Sequence, residues 1–272
     1  MNEPSLTQCP IGVFDSGIGG LTVVKALMEQ LPHESIVYFG DTARVPYGIK
    51  SKNTIQRFTG QIVDFLLEQK IKALVVACNT ISAVALDKVR MEAGSLPVIN
   101  VIEAGANEAV KLTKNQQIGV IATSTTVNSN AYARAIAHLC SGVRVISKAC
   151  PLLVPLIEEG WLNNEITRLT VREYMQSLLA ENIDTLILGC THYPLLKPLI
   201  QDEVGNKVRL VDSALAVAKQ VTEALKNSEL LQKNSNSAAY RFYVSDIPIK
   251  FQTIGEQFLG RSLESIHRKI LG

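Results

Sequence analysis

The chain has 272 residues, enough for one large domain or two of about 100–150 residues. Hydrophobic residues make up 47% and charged residues 19%, which suits ordinary buried cores, and the formal net charge of +2 supplies no global field for nucleic acid or a membrane surface. No apolar run approaches the ~18–20 residues that span a bilayer.

The five cysteines, Cys9, Cys78, Cys140, Cys150 and Cys190, are odd in number and none forms a CxxC pair. That argues against a disulfide framework or zinc knuckle and for reduced thiols, hence a cytoplasmic setting. The opening residues lack a basic region followed by an apolar one, so no secretory signal is expected.

Residues 1–10 read as a loose lead-in, and 11–14 as a short apolar strand. The strand breaks into the turn Asp15-Ser16-Gly17-Ile18-Gly19-Gly20, and a helix follows over 21–30. Residues 36–39 form the next predicted strand, closed by Gly40-Asp41, and 43–48 a loop punctuated by Pro46 and Gly48. Ile55, Phe58, Ile62, Phe65 and Leu66 have helical spacing within 53–69. A strand over 74–77 leads to Cys78, a helix is predicted over 82–92, and a strand over 97–102.

Strands alternating with helices predict a parallel sheet covered on both faces. Ligands of such sheets sit beyond the carboxyl ends of the strands, where Asp15, Asp41 and Cys78 fall.

The pattern then restarts. Ile118-Gly-Val-Ile-Ala-Thr123 echoes Ile11-Gly-Val-Phe-Asp-Ser16 at an offset of 107 residues, and Cys190 echoes Cys78 at an offset of 112. Residues 207–211 echo 97–101. This is the signature of an internal duplication, giving an α/β fold of two pseudo-symmetric domains with a cleft between them. A helix over 212–226, a polar mobile loop over 227–239, a strand over 240–244 and a helix over 249–258 complete the chain.

Cys78 and Cys190 each end an apolar strand and precede capping residues, Asn79-Thr80 and Thr191-His192. Both thiols are expected near helix N-termini, where the helix dipole favours thiolate. One thiol from each half suits a reaction that takes a proton from one face of a carbon and returns it on the other. Asp15 reads as facing a cation or a proton in transit, or as a helix cap. The turn departs from G-x-G-x-x-G, and an acid at its mouth would repel a pyrophosphate. His192 is placed to polarise Cys190 or share its proton. Ser16, Asn79, Thr80, Thr123, Thr126 and Thr191 offer uncharged groups for carboxylates.

These motifs resemble the glutamate racemases of the cofactor-independent aspartate/glutamate racemase family. The resemblance covers nearly the whole chain and rests on residues 12–21, 38–48, 77–80, 149–160 and 188–195. It implies interconversion of L- and D-glutamate, the D form feeding peptidoglycan synthesis, with no cofactor and no metal. It implies that Cys78 serves the D face with Asp15, and Cys190 the L face with His192. It implies substrate contacts at Asp15-Ser16, Tyr47-Gly48, Asn79-Thr80, Thr123, Thr126 and Thr191-His192, and a site carboxylate in the Glu158-Glu159 pair, with Glu158 favoured. It implies that the tail returns to the first domain, so that 1–98 plus 212–272 form one domain and 99–211 the other. A homodimer is common in the family, although no patch in the sequence diagnoses it. A racemase of aspartate or another acidic substrate is the alternative. A non-catalytic binding protein and a single-thiol hydrolase are disfavoured by the matched cysteines.

Overall fold

A computed structural model of the chain describes residues 5–232, 238–247, 251–263 and 266–272. Residues 1–4 of the lead-in, 233–237 of the predicted polar loop and 249–250 of the predicted last helix lie outside these.

Among the described residues, ten strands form two parallel sheets. They are β1 (Ile11–Asp15), β2 (Ile36–Gly40), β3 (Ala73–Val76), β4 (Val98–Asn100), β5 (Gln117–Ala122), β6 (Arg144–Ala149), β7 (Thr185–Gly189), β8 (Arg209–Asp212), β9 (Tyr240–Val244) and β10 (Ile266–Arg268). The larger sheet runs β10-β9-β2-β1-β3-β4 and the smaller β6-β5-β7-β8. Within the larger sheet, β2-β1-β3-β4 repeats the order of the smaller one, so the duplication in the sequence is a duplication of topology. The additional strands β9 and β10 extend the larger sheet, with Ile36 paired to Tyr240 and Gly40 to Val244.

Helices cover both faces, so the central strands are apolar throughout rather than alternating. All five residues of β1, β2 and β7 are buried. Alternation decides only which layer each residue joins. Ala73 and Val75 pack with Leu21 and Leu27, whereas Leu74 and Val76 pack with Ile55 and Ile62. Helix Ser213–Asn227 packs against both Leu21–Gln30 and Val101–Leu112, and so links the layers of the two sheets. Among the described residues no helix is long and apolar enough to cross a membrane.

Two local expectations are corrected. The predicted strand over 97–102 stops at Asn100, because its Oδ1 accepts the amides of Ile102 and Glu103 and starts helix Val101–Leu112. The predicted helix over 82–92 is two helices, Asn79–Val84 and Leu86–Ala93, separated by Ala85 at φ −129°.

Candidate active site

The carboxyl ends of β1, β3, β5 and β7 meet at a cavity of about 380 Å³. Its wall contains both cysteines, together with Ser16, Tyr47, Gly48, Asn79, Thr80, Thr123, Thr191 and His192. The cleft between the halves is thus where the duplicated motif requires it. Apolar groups close the remaining walls: Val45 and Ile49 on one side, Pro151, Val154 and Pro155 on the other. None of these was singled out in the sequence, because loops, the turn Tyr47–Ile49 and the six-residue helix Leu153–Glu158 are too short to show a periodic signal.

Two expected contact residues stand behind the wall. Asp15 is 1% exposed and outside the lining; one carboxylate oxygen accepts the Gly17 amide at 2.9 Å, and among the described residues Oδ1 has no hydrogen-bond partner. Burial raises its pKa above the ordinary carboxylate value, against the opposing pull of His192. Thr126 is also buried, with its Oγ1 3.0 Å from that of Thr123. It supports Thr123 rather than facing the cavity.

Cys78 is the N-cap of helix Asn79–Val84, and its sulfur accepts the Ile81 amide at 3.5 Å. Its thiol donates to Ser16 Oγ at 3.3 Å. The expectation of a thiolate is nevertheless reversed at this position. Burial, followed by the charge of Asp15, pushes the Cys78 pKa up to about 12. Desolvation of an anion outweighs a one-turn dipole when the group is fully enclosed. Cys78 is a thiol at rest, and removing its proton requires a local base.

Cys190 has different company. Its sulfur lies 3.8 Å from His192 Nδ1, and His192 Nε2 lies 3.0 Å from Glu158 Oε1. Burial alone would lower the His192 pKa, but hydrogen bonds to Cys190 and Glu158 overcome it and raise the value to about 10. The imidazole therefore carries a proton at neutral pH next to the Cys190 sulfur. Of the Glu158-Glu159 pair, Glu158 lines the cavity. Cys190 does not cap a helix: the following turn is the 3-10 segment Tyr193–Leu196, capped by His192 and carrying Pro194.

The two halves interlock around the thiols. Tyr132 Oη donates to Asn79 Oδ1 at 2.7 Å, and among the described residues Asn79 Nδ2 is a buried donor without a partner. Thr22 Oγ1 lies 2.9 Å from the Gly19 carbonyl and 3.1 Å from that of Thr191. Gly19 approaches so closely that an added Cβ would overlap Thr191 Oγ1 and sit 2.5 Å from His192 Nδ1. The glycine run is more than a tight turn: at Gly19 it makes room for the second thiol's partners. Tyr132 and this close approach were not legible in the sequence, because both depend on residues far apart along the chain.

Among the described residues the lining contains no lysine or arginine. Uncharged donors and His192 are what it offers a carboxylate. A larger recess of about 660 Å³ contains neither cysteine and is lined by a mixture of apolar and charged side chains, Arg90 and Glu103 among them, paired at 2.7 Å. Among the described residues no group of three or more His, Cys, Asp or Glu is arranged to hold a metal ion.

Residues 11–221 match the Asp/Glu/Hydantoin racemase family. The chain belongs to that family. It is 63% identical to a glutamate racemase from Neisseria meningitidis, covering 97% of this chain and 98% of that protein. A glutamate racemase from Syntrophus aciditrophicus is 57% identical, covering 98% and 99% respectively. Among solved structures, the Francisella tularensis glutamate racemase in complex with D-glutamate superposes with a TM-score of 0.92 at 46% identity, covering 97% of this chain and 98% of that one.

In this racemase, Gly19→Ala is expected to leave the fold intact and lower turnover. A displacement of about 1 Å at the His192 ring is enough for a loss of about 10²-fold. Steady-state kinetics beside circular dichroism checks this; unchanged kinetics would show that the close approach is incidental.

Proposed function

We propose that the chain interconverts L- and D-glutamate by a two-base cysteine mechanism without a cofactor, supplying D-glutamate for peptidoglycan synthesis. The observation that carries the reading is one cavity lined by two cysteines from the matching ends of β3 and β7. Residues 1–98 with 212–272 form one domain of this enzyme and 99–211 the other, and the substrate binds between them.

One sulfur, as thiolate, takes the Cα proton; the C–H electron pair moves into the adjacent carboxylate as an enolate-like system. The opposite S–H then donates its proton to the other face of Cα, and its sulfur retains the bond pair as thiolate. Each turnover exchanges the protonation states of the two sulfurs, so no atoms or charge are left over. Cys78 serves the D enantiomer, with Asp15 behind it as the group that can receive the thiol proton. Cys190 serves the L enantiomer, with His192 as its proton partner. Asn79 Nδ2, unpartnered among the described residues, and the hydroxyls of Ser16, Thr80, Thr123 and Thr191 bind the substrate carboxylates. A Cα proton beside a carboxylate is very weakly acidic, and one acid/base group contributes only about 10²–10⁴-fold. Donors fixed in a water-poor cleft must supply the rest by stabilising the developing charge.

The test is proton exchange in D₂O. L-glutamate incubated with the protein should acquire deuterium at Cα and yield D-glutamate, followed by NMR and chiral chromatography. Inversion of aspartate with no action on glutamate would replace the reading with the aspartate alternative; no exchange on any acidic amino acid would sink both.

A pH profile tests the role of His192. The folded pKa of about 10 lies above the ordinary 6.5, so the proton is held across neutral pH and lost as pH rises through about 10. kcat/KM reports free-enzyme ionisations and should fall on that limb. His192→Asn should lower kcat/KM at pH 8 and remove the limb. A limb unchanged in the variant would assign it to another group.

A further inference from the structure

We propose that Thr125 is a positioning residue that latches the cleft shut during the reaction. The inference rests on the racemase reading and concerns a residue outside the cavity wall.

Thr125 belongs to the short helix Ser124–Asn128 that follows β5 of the smaller sheet. Its Oγ1 donates to the carbonyl of Gly48 at 2.6 Å. Gly48 lies in the 3-10 turn Tyr47–Ile49 that follows β2 of the larger sheet. The bond therefore joins the two sheets' loops directly across the site. The two turns also touch, since a Cβ on Gly48 would lie 3.2 Å from Thr123 Cβ.

The acceptor side is a fixed post. Tyr47 Oη donates to Asp41, a buried carboxylate that also binds Arg44 Nε at 2.7 Å and Ser245 Oγ at 2.8 Å. Ser245, just past β9, in turn accepts the Ala43 amide at 2.8 Å. The turn bearing Gly48 is thus anchored to its own sheet by three side chains. On the donor side the helix's N-cap, Thr123, also reaches across, its Oγ1 3.1 Å from that of Thr80 beyond β3, so Thr125 holds the Gly48 side of the cleft and Thr123 the Thr80 side. Opening the cleft on the Gly48 side has to break the Thr125 bond, and closing it remakes the bond and brings Thr123 and Tyr47 to the same cavity. Losing one neutral hydrogen bond from the closed state should weaken apparent substrate affinity about two- to tenfold.

The latch has a signature that stability alone lacks. In a closed site the thiol that took the Cα proton can return that same proton, so recovered substrate stays free of solvent hydrogen. In a looser site, water exchanges the S–H proton first. Thr125→Val, which keeps the shape and removes the donor, should raise KM two- to tenfold more than it changes kcat. In D₂O at low conversion it should raise deuterium in recovered L-glutamate severalfold relative to deuterium in the D-glutamate formed. Thr125→Ser should restore both values. A Val variant with wild-type KM and wild-type deuterium partition would overturn the latch. So would a Val variant with changed kinetics and a lowered melting temperature that Ser does not restore, which would make Thr125 a folding residue. Failure of the wild-type protein to racemise glutamate would instead strike the functional reading itself.

Discussion

Cys78→Ala and Cys190→Ala are each expected to lower kcat/KM by about 10⁴-fold, in both directions at once. The symmetry of the loss is compulsory. The two enantiomers have equal free energy in water, so kcat/KM must be the same in the forward and reverse directions for every variant. The discriminating measurement is therefore a partial reaction. With Cys78 gone, Cys190 can still exchange the Cα hydrogen of L-glutamate with solvent over long incubation, as repeated opening of the cleft lets its S–H equilibrate with water, but no acid stands on the opposite face to complete inversion. Exchange without inversion should be confined to the L enantiomer in Cys78→Ala and to the D enantiomer in Cys190→Ala. Racemisation by either variant at a substantial fraction of the wild-type rate would refute a mechanism that needs both sulfurs. Both side chains are small, and the surrounding hydrogen bonds belong mostly to neighbours, so folding should survive the changes.

Lys72→Met is expected to have the largest effect on stability, a loss of about 3–5 kcal/mol. Lys72 is buried within the larger sheet's layers, with Nζ 2.5 Å from Glu34 Oε2, 2.7 Å from the Thr7 carbonyl and 2.9 Å from that of Leu230. Glu34 accepts the Gln232 amide at 2.8 Å through its other oxygen. Together they join the lead-in, the start of β3 and the segment after helix Ser213–Asn227. Removing the cation leaves a carboxylate enclosed without its counter-charge, which is costlier than never having had the pair. Against a typical total of about 5–15 kcal/mol, such a loss approaches unfolding. Urea denaturation should show a reduced midpoint. Lys72→Met combined with Glu34→Leu should recover much of the deficit, because the orphaned charge is removed too. A single variant as stable as wild type would show that water reaches the pair.

Neither Lys72 nor Glu34 announced itself in the sequence, where each looks like an ordinary surface charge. Glu158 was favoured over Glu159 through the family resemblance alone; its place in the cavity wall supplies the geometric reason. By contrast, Cys78, Cys190, Asn79, Thr80, Thr191 and His192 could be read directly, because each follows the end of an apolar run and strand ends in parallel sheets converge. That the smaller sheet repeats an arrangement in the larger was likewise implicit in the 107- and 112-residue offsets, whereas the strand order itself came only with the fold.

What the sequence determined by itself was therefore local and periodic: the alternation of strands and helices, the duplication, the cysteines at matched strand ends and the family motifs. What the tertiary structure alone decided was environment. It put Asp15 and Thr126 behind the wall rather than on it, set Gly19 against His192, and joined Thr125 to Gly48. It also reversed the expected state of Cys78, whose thiolate the helix dipole favours but whose burial beside Asp15 disfavours more strongly. Periodicity records which residues turn inward within one element. Desolvation and close approach depend on what other elements bring to the same place, and those elements lie tens to hundreds of residues away along the chain.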